Sequence, residues 1–303
     1  MSKIAIIGAG KWGSALHRAL SVKNACFISS PTTRERENFI AMDEALGCDR
    51  LIFALSSQGL REWLGLHFKP SSQKILIASK GIDSATCQFL DEIFSAFVEP
   101  SHFCVLSGPS FASEVEQGLP TALVISGSNA ALCEEFADFF PDFIKVYTDD
   151  DVRGAEICGA YKNVLAIASG VSDGLNLGNN ARASLIARGL VEMQRFGSFF
   201  GAKEETFWGL SGAGDLFLTA SSKLSRNYRV GLMLAQNQRL EDILSALGEV
   251  AEGVKTAFAI DKMAQERGIY TPIVSEVVRI LQGTNPKTAV QNLLKQASFK
   301  DAR

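Results

Sequence analysis

What this chain lacks narrows its function before any motif is considered. Its six cysteines, at 26, 48, 87, 104, 133 and 158, form no CxxC pair, and its three histidines, at 17, 67 and 102, cluster neither with them nor with one another. The usual ligand spacings of a structural or catalytic metal are therefore missing, and no metal site is expected. Charge of one sign is also missing: 30 basic against 33 acidic side chains leave a net charge of -3. No global positive field exists to recruit nucleic acid or an anionic membrane, so any anionic ligand must be met by a local site. No apolar run approaches the roughly 20 residues that span a bilayer, and membrane insertion is not expected. The start, MSKIAIIGAG, passes from one lysine into a strand and a glycine turn without the apolar core or small-residue cleavage site of a leader. With no CxxC pair and no leader or membrane span, this reads as a reduced, cytoplasmic protein. Internal repeats and low-complexity tracts are absent as well.

What is present is ample for two cores: 303 residues, 47% of them hydrophobic and 21% charged. From residue 3 to about 148, the short apolar runs KIAIIG, ACFIS, RLIFAL, KILIAS, FCVLSG, ALVISG and IKVYT alternate with helix-like segments. That alternation predicts an α/β fold, a Rossmann-type, largely parallel sheet joined by crossover helices. Beyond about 149, helical periodicity takes over, as in RASLIARGLVEMQRFG and KTAFAIDKMAQERG. The expected organisation is a dinucleotide-binding domain over 1–148 and an all-helical substrate and catalytic domain over 149–303. The acidic TDDD at 148–151 marks the join and suits a helix start.

GAGKWG, at 8–13, follows the first strand and opens the first helix, where a GxGxxG pattern has a mechanism. Gly8 makes the tight turn, Gly10 admits a pyrophosphate to the backbone, and Gly13 lets helix and strand pack closely. A glycine that serves only the turn is the plain alternative, and its place at the head of an alternating domain favours cofactor binding. The end of the second strand separates NAD from NADP through an acidic or a basic residue. Here it reads ISSPTTRERE, with no carboxylate before Glu35, whereas Ser29, Ser30, Thr32, Thr33 and Arg34 offer donors to a 2'-phosphate. The lean is to NADP.

ASKGI, with Lys80, and LSGPSFASEVEQGLPTA, with Gly108, Pro109, Ser110 and Phe111, each follow an apolar strand directly. Ligands of open parallel sheets lie beyond the carboxyl ends of the strands, so these loops are candidate site elements. In the helical half, WGLSGAGDL ends a glycine-rich turn at Asp215, and SKLSRNYRVG puts Ser225, Arg226 and Asn227 at a helix start. Ser225 suits a cap, and Arg226 with the exposed N–H groups suits a phosphate or carboxylate. NNARASLIARGL, at 179–190, reads as the turn and start of another helix.

GAYKN, at 159–163, sets a lysine among small apolar residues. At helical spacing its face carries Ala155, Cys158, Gly159, Ala166 and Ser169, none large enough to cover Lys162. A lone lysine there would ordinarily lay its stem over apolar neighbours and lift its ammonium into water. The alternative is a cavity beside it that a ligand fills.

Taken in order, GAGKWGSAL, SKG, GPSFA with GLPTA, GAYKNVLAIASGVSDG, NNARASLIARGL, GAGDL, SRN, EVAEG and TPI resemble the bacterial type of NAD(P)-dependent glycerol-3-phosphate dehydrogenase almost end to end. The resemblance implies reversible reduction of dihydroxyacetone phosphate to sn-glycerol 3-phosphate, the backbone precursor of phospholipids. It implies that Lys162 is the general acid/base, reaching from the helical domain across an interdomain cleft, with Asp215 as its catalytic partner. It further implies substrate contacts from Lys80, Gly108, Ser110, Asp215, Ser225, Arg226 and Asn227. Cofactor contacts would come from Lys11, Trp12, Lys80, Ala112, Arg226, Val250 and Glu252, and the assembly would be a homodimer. One departure stands out: the segment PTTRERENFIAMDEALGCDR, after the second strand, is shorter than the family pattern and lacks its tyrosine-containing loop. Two other readings share these parts, a two-domain hydroxy-acid reductase and a nicotinamide-binding regulator without catalysis.

Overall fold

In the computed structural model the described residues are 3–32, 37–248 and 251–295. Each of the seven apolar runs forms a strand: β1 (Ile4–Ile7), β2 (Cys26–Ser29), β3 (Arg50–Phe53), β4 (Lys74–Ile77), β5 (Phe103–Ser107), β6 (Thr121–Ser126) and β7 (Ile144–Asp149). They make one sheet in the order β2-β1-β3-β4-β5-β6-β7, parallel throughout except at β5–β6. Among the described residues six α-helices lie between them, α1 (Lys11–Leu20), α2 (Met42–Leu46), α3 (Leu60–His67), α4 (Leu90–Ser95), α5 (Ala112–Glu116) and α6 (Ala130–Asp138).

Strand alternation feeds two cores. Ile4, Ile6, Ile28, Ile52 and Leu76 meet Leu16 and Leu20 of α1 and Leu132 and Phe136 of α6 on one face. On the other, Ala5, Ile7, Leu51, Phe53 and Ile75 meet Leu60 and Leu64 of α3 and Ile93 and Phe94 of α4. The period of two along each strand sends successive side chains to opposite faces, and burial on both faces explains why β1, β3, β4 and β5 are almost wholly apolar, whereas β7 at the edge is largely exposed. Phe53 anchors the second core, with Trp63, Phe68 and Phe94 edge-on at centroid distances of 6.3, 5.8 and 5.1 Å. Burial of the Phe53, Phe68 and Phe94 rings contributes about 2 kcal/mol of transfer free energy each, and Trp63 is partly buried against them.

The short segment after β2 takes part in this sheet. Ile28 N–H donates to the Asn38 carbonyl and Ile40 N–H to the Ile28 carbonyl, so the chain lies beside β2 and parallel to it, with Phe39 bridged to Ile28.

The remaining helices are α7 (Val152–Gly174), α8 (Asn179–Phe199), α9 (Glu204–Trp208), α10 (Asp215–Ala220), α11 (Arg226–Leu234), α12 (Leu240–Leu247), α13 (Glu252–Arg267), α14 (Pro272–Leu281) and α15 (Pro286–Lys295), with a π-helical turn over Leu210–Gly214. TDDD starts α7: the Gly154 N–H donates to Asp151 Oδ1 at 2.9 Å, which is an N-cap. From 154 to 172 every residue of α7 is buried. A helix apolar all round belongs inside, and its Ala, Gly and Cys positions let neighbours close in. Two compact units result, Met1–Lys80 with Gln88–Glu156 and Gly81–Cys87 with Ile157–Arg303. The units part within α7, because its first turns bury Ala155 in the second core of the sheet and pack Val152 against it. None of the described helices is long and apolar enough to cross a membrane.

Candidate active site

In the first unit the glycine turn has the shape an anion needs. Gly8 has φ +119°, and a Cβ there would lie 2.5 Å from the Ala54 carbonyl oxygen, while a Cβ on Gly13 would collide with the Gly8 carbonyl. Gly10, by contrast, faces open space: a Cβ there would meet nothing within 4 Å, and no side chain caps the start of α1. An approachable backbone at an uncapped helix start fits a pyrophosphate. Lys11 begins that helix, and Trp12 is held beside it by Nε1 donating to the Ala78 carbonyl at 3.1 Å, just past β4.

The set of donors read for a 2'-phosphate shrinks. Ser29 is fully buried and its hydroxyl donates to the Ile40 carbonyl at 2.9 Å, so it braces the segment paired beside β2 instead of facing a ligand. Ser30 donates to the Thr32 carbonyl within its own turn. Thr33, Arg34 and Glu35 lie outside the described residues, as does Val250.

Beyond β4 and β5 the two loops meet. Lys80 Nζ donates to the Gly108 carbonyl at 3.0 Å, and Ser110 Oγ donates to the same oxygen at 3.1 Å. Gly108, at φ +109°, makes the bend that allows this. Ala112 then opens α5. Lys80, Gly108 and Ser110 thus form one cluster at the carboxyl end of the sheet, as their placement after strands predicts.

In the second unit Lys162 does not snorkel. It is 8% exposed, its Nζ donates to Asp215 Oδ1 at 2.5 Å and to Thr219 Oγ1 at 3.1 Å, and Asp215 is 1% exposed. The π-helical turn formed by the glycine-rich LSGAG delivers Asp215 to the first position of α10, and Thr219 follows one turn later on the same face. A buried ammonium needs a buried counter-charge, and Asp215 supplies it.

SRN opens α11 as its spacing implies. Ser225 is the N-cap, its Oγ accepting from the Tyr228 N–H at 3.2 Å. Arg226, the first residue of the helix, is exposed, and Asn227 is buried. Helix α11 packs directly on α7: a Cβ on Gly231 would sit 2.1 Å from the Ile167 carbonyl oxygen, and one on Gly170 equally close to that of Tyr228. Only glycine at both positions brings the two backbones into contact. The helix carrying Arg226 therefore rests on the helix carrying Lys162. Glu252 begins α13 in the same unit.

Three further residues of this unit have polar roles that local sequence does not announce. Thr219 sits four residues after Asp215, and that helical spacing is the available signal. Asn163 and Glu192 work through partners remote in the chain. Glu192 is buried and accepts from the Ile273 and Val274 N–H groups at the start of α14 and from the Tyr161 hydroxyl. No group of three or more His, Cys, Asp or Glu able to hold a metal occurs among the described residues.

A Rossmann-type sheet with an open glycine turn, and a buried lysine–carboxylate pair beside a helix start suited to an anion, are the parts of a nicotinamide-dependent oxidoreductase. Family models agree: the N-terminal model of NAD-dependent glycerol-3-phosphate dehydrogenase matches residues 37–133 and the C-terminal model residues 151–291. A curated relative from Campylobacter jejuni subsp. doylei, named glycerol-3-phosphate dehydrogenase (NAD(P)+), is 71% identical over 97% of this chain and 99% of its own. One of the same name from Campylobacter lari is 63% identical over 96% and 97%. Among solved structures, glycerol-3-phosphate dehydrogenase from Coxiella burnetii superposes with a TM-score of 0.89 at 33% identity, covering 97% of this chain and 99% of that one. The chain belongs to the NAD-dependent glycerol-3-phosphate dehydrogenase family.

Proposed function

We propose the following division of labour for the reversible, NAD(P)H-dependent reduction of dihydroxyacetone phosphate to sn-glycerol 3-phosphate. When bound, the nicotinamide cofactor supplies the hydride. As the ketone carbon is reduced, negative charge grows on its oxygen, and the Lys162 ammonium stabilises that charge and hands over a proton. Asp215 and Thr219 hold the ammonium in one orientation, so its position is set before the reaction begins. In the opposite direction the neutral amine takes the proton from the alcohol.

Arg226 and the first turn of α11 hold the substrate phosphate, and binding energy at the phosphate positions the reacting carbon. Lys80, Gly108, Ser110, Ser225 and Asn227 complete the substrate contacts. Gly8, Gly10, Lys11, Trp12, Gly13, Ala112, Val250 and Glu252 serve the cofactor, with Lys80 and Arg226 shared. The buried cluster of Lys162, Asp215 and Thr219 carries this reading, since a lysine so placed has no packing role that an apolar residue would not fill better.

The preference we propose is for NADP(H). Its support is the absence of a carboxylate before Glu35. A homodimer in the cytoplasm is also proposed, the first on the family resemblance and the second supported by six free cysteines. Oxidation of NADPH and, separately, NADH on addition of dihydroxyacetone phosphate, with a 2-keto acid as control, tests the reaction and the preference together. Oxidation driven by the keto acid alone would replace this reading with a hydroxy-acid reductase.

A further inference from the structure

Asn163 follows Lys162 on α7 and has no role in the division of labour above. It is buried, and its amide belongs to a chain of hydrogen bonds that joins three helices. The Gly253 N–H, in the first turn of α13, donates to Asn227 Oδ1 at 3.1 Å. Asn227 Nδ2 then donates to Asn163 Oδ1 at 2.9 Å, and Asn163 Nδ2 donates to the Gly159 carbonyl at 3.1 Å.

The direction of this chain is fixed from its ends. A backbone N–H only donates, so the Asn227 atom facing Gly253 is oxygen, which turns the Asn227 nitrogen toward Asn163. Asn163 must then present its oxygen to Asn227 and its nitrogen to Gly159, whose carbonyl only accepts. Neither amide can flip without setting donor against donor or acceptor against acceptor, and aligned bonds of this kind polarise one another. The junction is also sterically closed: a Cβ on Gly253 would lie 2.6 Å from Asn227 Oδ1 and 2.9 Å from the Asn163 carbonyl oxygen.

We infer that Asn163 is a positioning residue for the reaction. It holds Asn227, and with it the start of α11 that carries Arg226, at a set spacing from Lys162 on α7. Phosphate grip and proton donor are thereby matched to one substrate. The inference rests on the reading of Arg226 as the phosphate-holding group. An amide that served only to stabilise α7 would, when removed, depress all turnover alike. A positioning amide removes specifically the advantage that the phosphate confers, because that advantage exists only while the two ends are held in register.

The test compares kcat/KM for dihydroxyacetone phosphate with kcat/KM for unphosphorylated dihydroxyacetone in the unaltered chain and in Asn163→Ala, Gly253→Ala and Arg226→Ala. Asn163→Ala should lower the first about 30-fold or more and the second by about threefold or less. Gly253→Ala, whose methyl group displaces Asn227 Oδ1, should show the same selective loss. Equal losses on both substrates, or no loss, in these two variants overturns the inference. If circular dichroism shows that Asn163→Ala does not fold, Gly253→Ala decides by the same criterion. Arg226→Ala separates the two layers: without selective loss in that variant the phosphate reading fails, whereas selective loss there but not in the others sinks the role of Asn163 alone.

Discussion

The Tyr161 hydroxyl donates to Glu192 Oε1 at 2.9 Å, tying the residue next to Lys162 to a carboxylate that also receives the first N–H groups of α14. Burial pushes the Glu192 carboxyl up from 4.5 to about 7, against the pull of the Ile273 and Val274 amides and the Tyr161 hydroxyl. A carboxyl raised on folding stabilises the fold fully below its unfolded pKa, and that contribution is lost as pH rises through the folded value. From Glu192 alone, stability should therefore fall by roughly 3 kcal/mol between about pH 4.5 and 7. Urea midpoints at pH 5, 6.5 and 8 should decline less steeply in Glu192→Gln than in the unaltered chain. Parallel curves would show that Glu192 does not titrate in this window.

Lys162 and Asp215 neutralise each other in a buried site, so removing one partner costs more than removing both. Lys162→Met should lose turnover and about 3–5 kcal/mol of stability, because Asp215 is left buried and unpaired. The double variant Lys162→Met with Asp215→Asn should regain much of that stability and none of the turnover. NADPH binding, followed by cofactor fluorescence, should persist in both. Measurable turnover in either would remove Lys162 from its role as proton donor.

Thr219 is the second acceptor for the Lys162 ammonium, and Thr219→Val keeps its shape while removing the hydroxyl. We expect kcat to fall about tenfold, with KM for dihydroxyacetone phosphate nearly unchanged and the pH–rate profile displaced. A rise in KM alone would mean that Thr219 meets the substrate instead.

Gly231→Ala should force α11 off α7, since its methyl carbon would fall 2.1 Å from the Ile167 carbonyl oxygen. A cost of about 2 kcal/mol or more is expected from such overpacking, accompanied by loss of turnover. Ser225→Ala removes only the cap and should cost about 1 kcal/mol. Chemical denaturation of both variants ranks the two effects, and a smaller cost for Gly231→Ala would contradict the close helix contact.

Strands β1, β3, β4 and β5 are legible as apolar runs because they are buried on both faces, whereas β7, at the edge of the sheet, is largely exposed beyond Ile144. Gly8 and Gly13 of GxGxxG are legible because each answers to its own steric demand. The direction of β6 is not legible, since burial leaves the same pattern in a parallel and an antiparallel strand. Lys162 stands out because its neighbours are too small to cover it, and Asp215 because a glycine-rich turn leads to it. Asn163 and Glu192 escape because their partners, Asn227 and Ile273, are 64 and 81 residues away. Ser29 reads wrongly as a ligand donor for a similar reason: its acceptor, the Ile40 carbonyl, lies on a segment whose parallel pairing with β2 no local pattern announces.

Complete enclosure of α7 from 154 to 172 also has a kinetic meaning. Amide hydrogens exchange with solvent only when the element holding them opens, and an element packed on every side opens only with the whole unit. The backbone around Lys162 should accordingly be among the last to take up deuterium. The lysine proposed to move the proton is thus expected to sit on a helix that opens only with its whole unit.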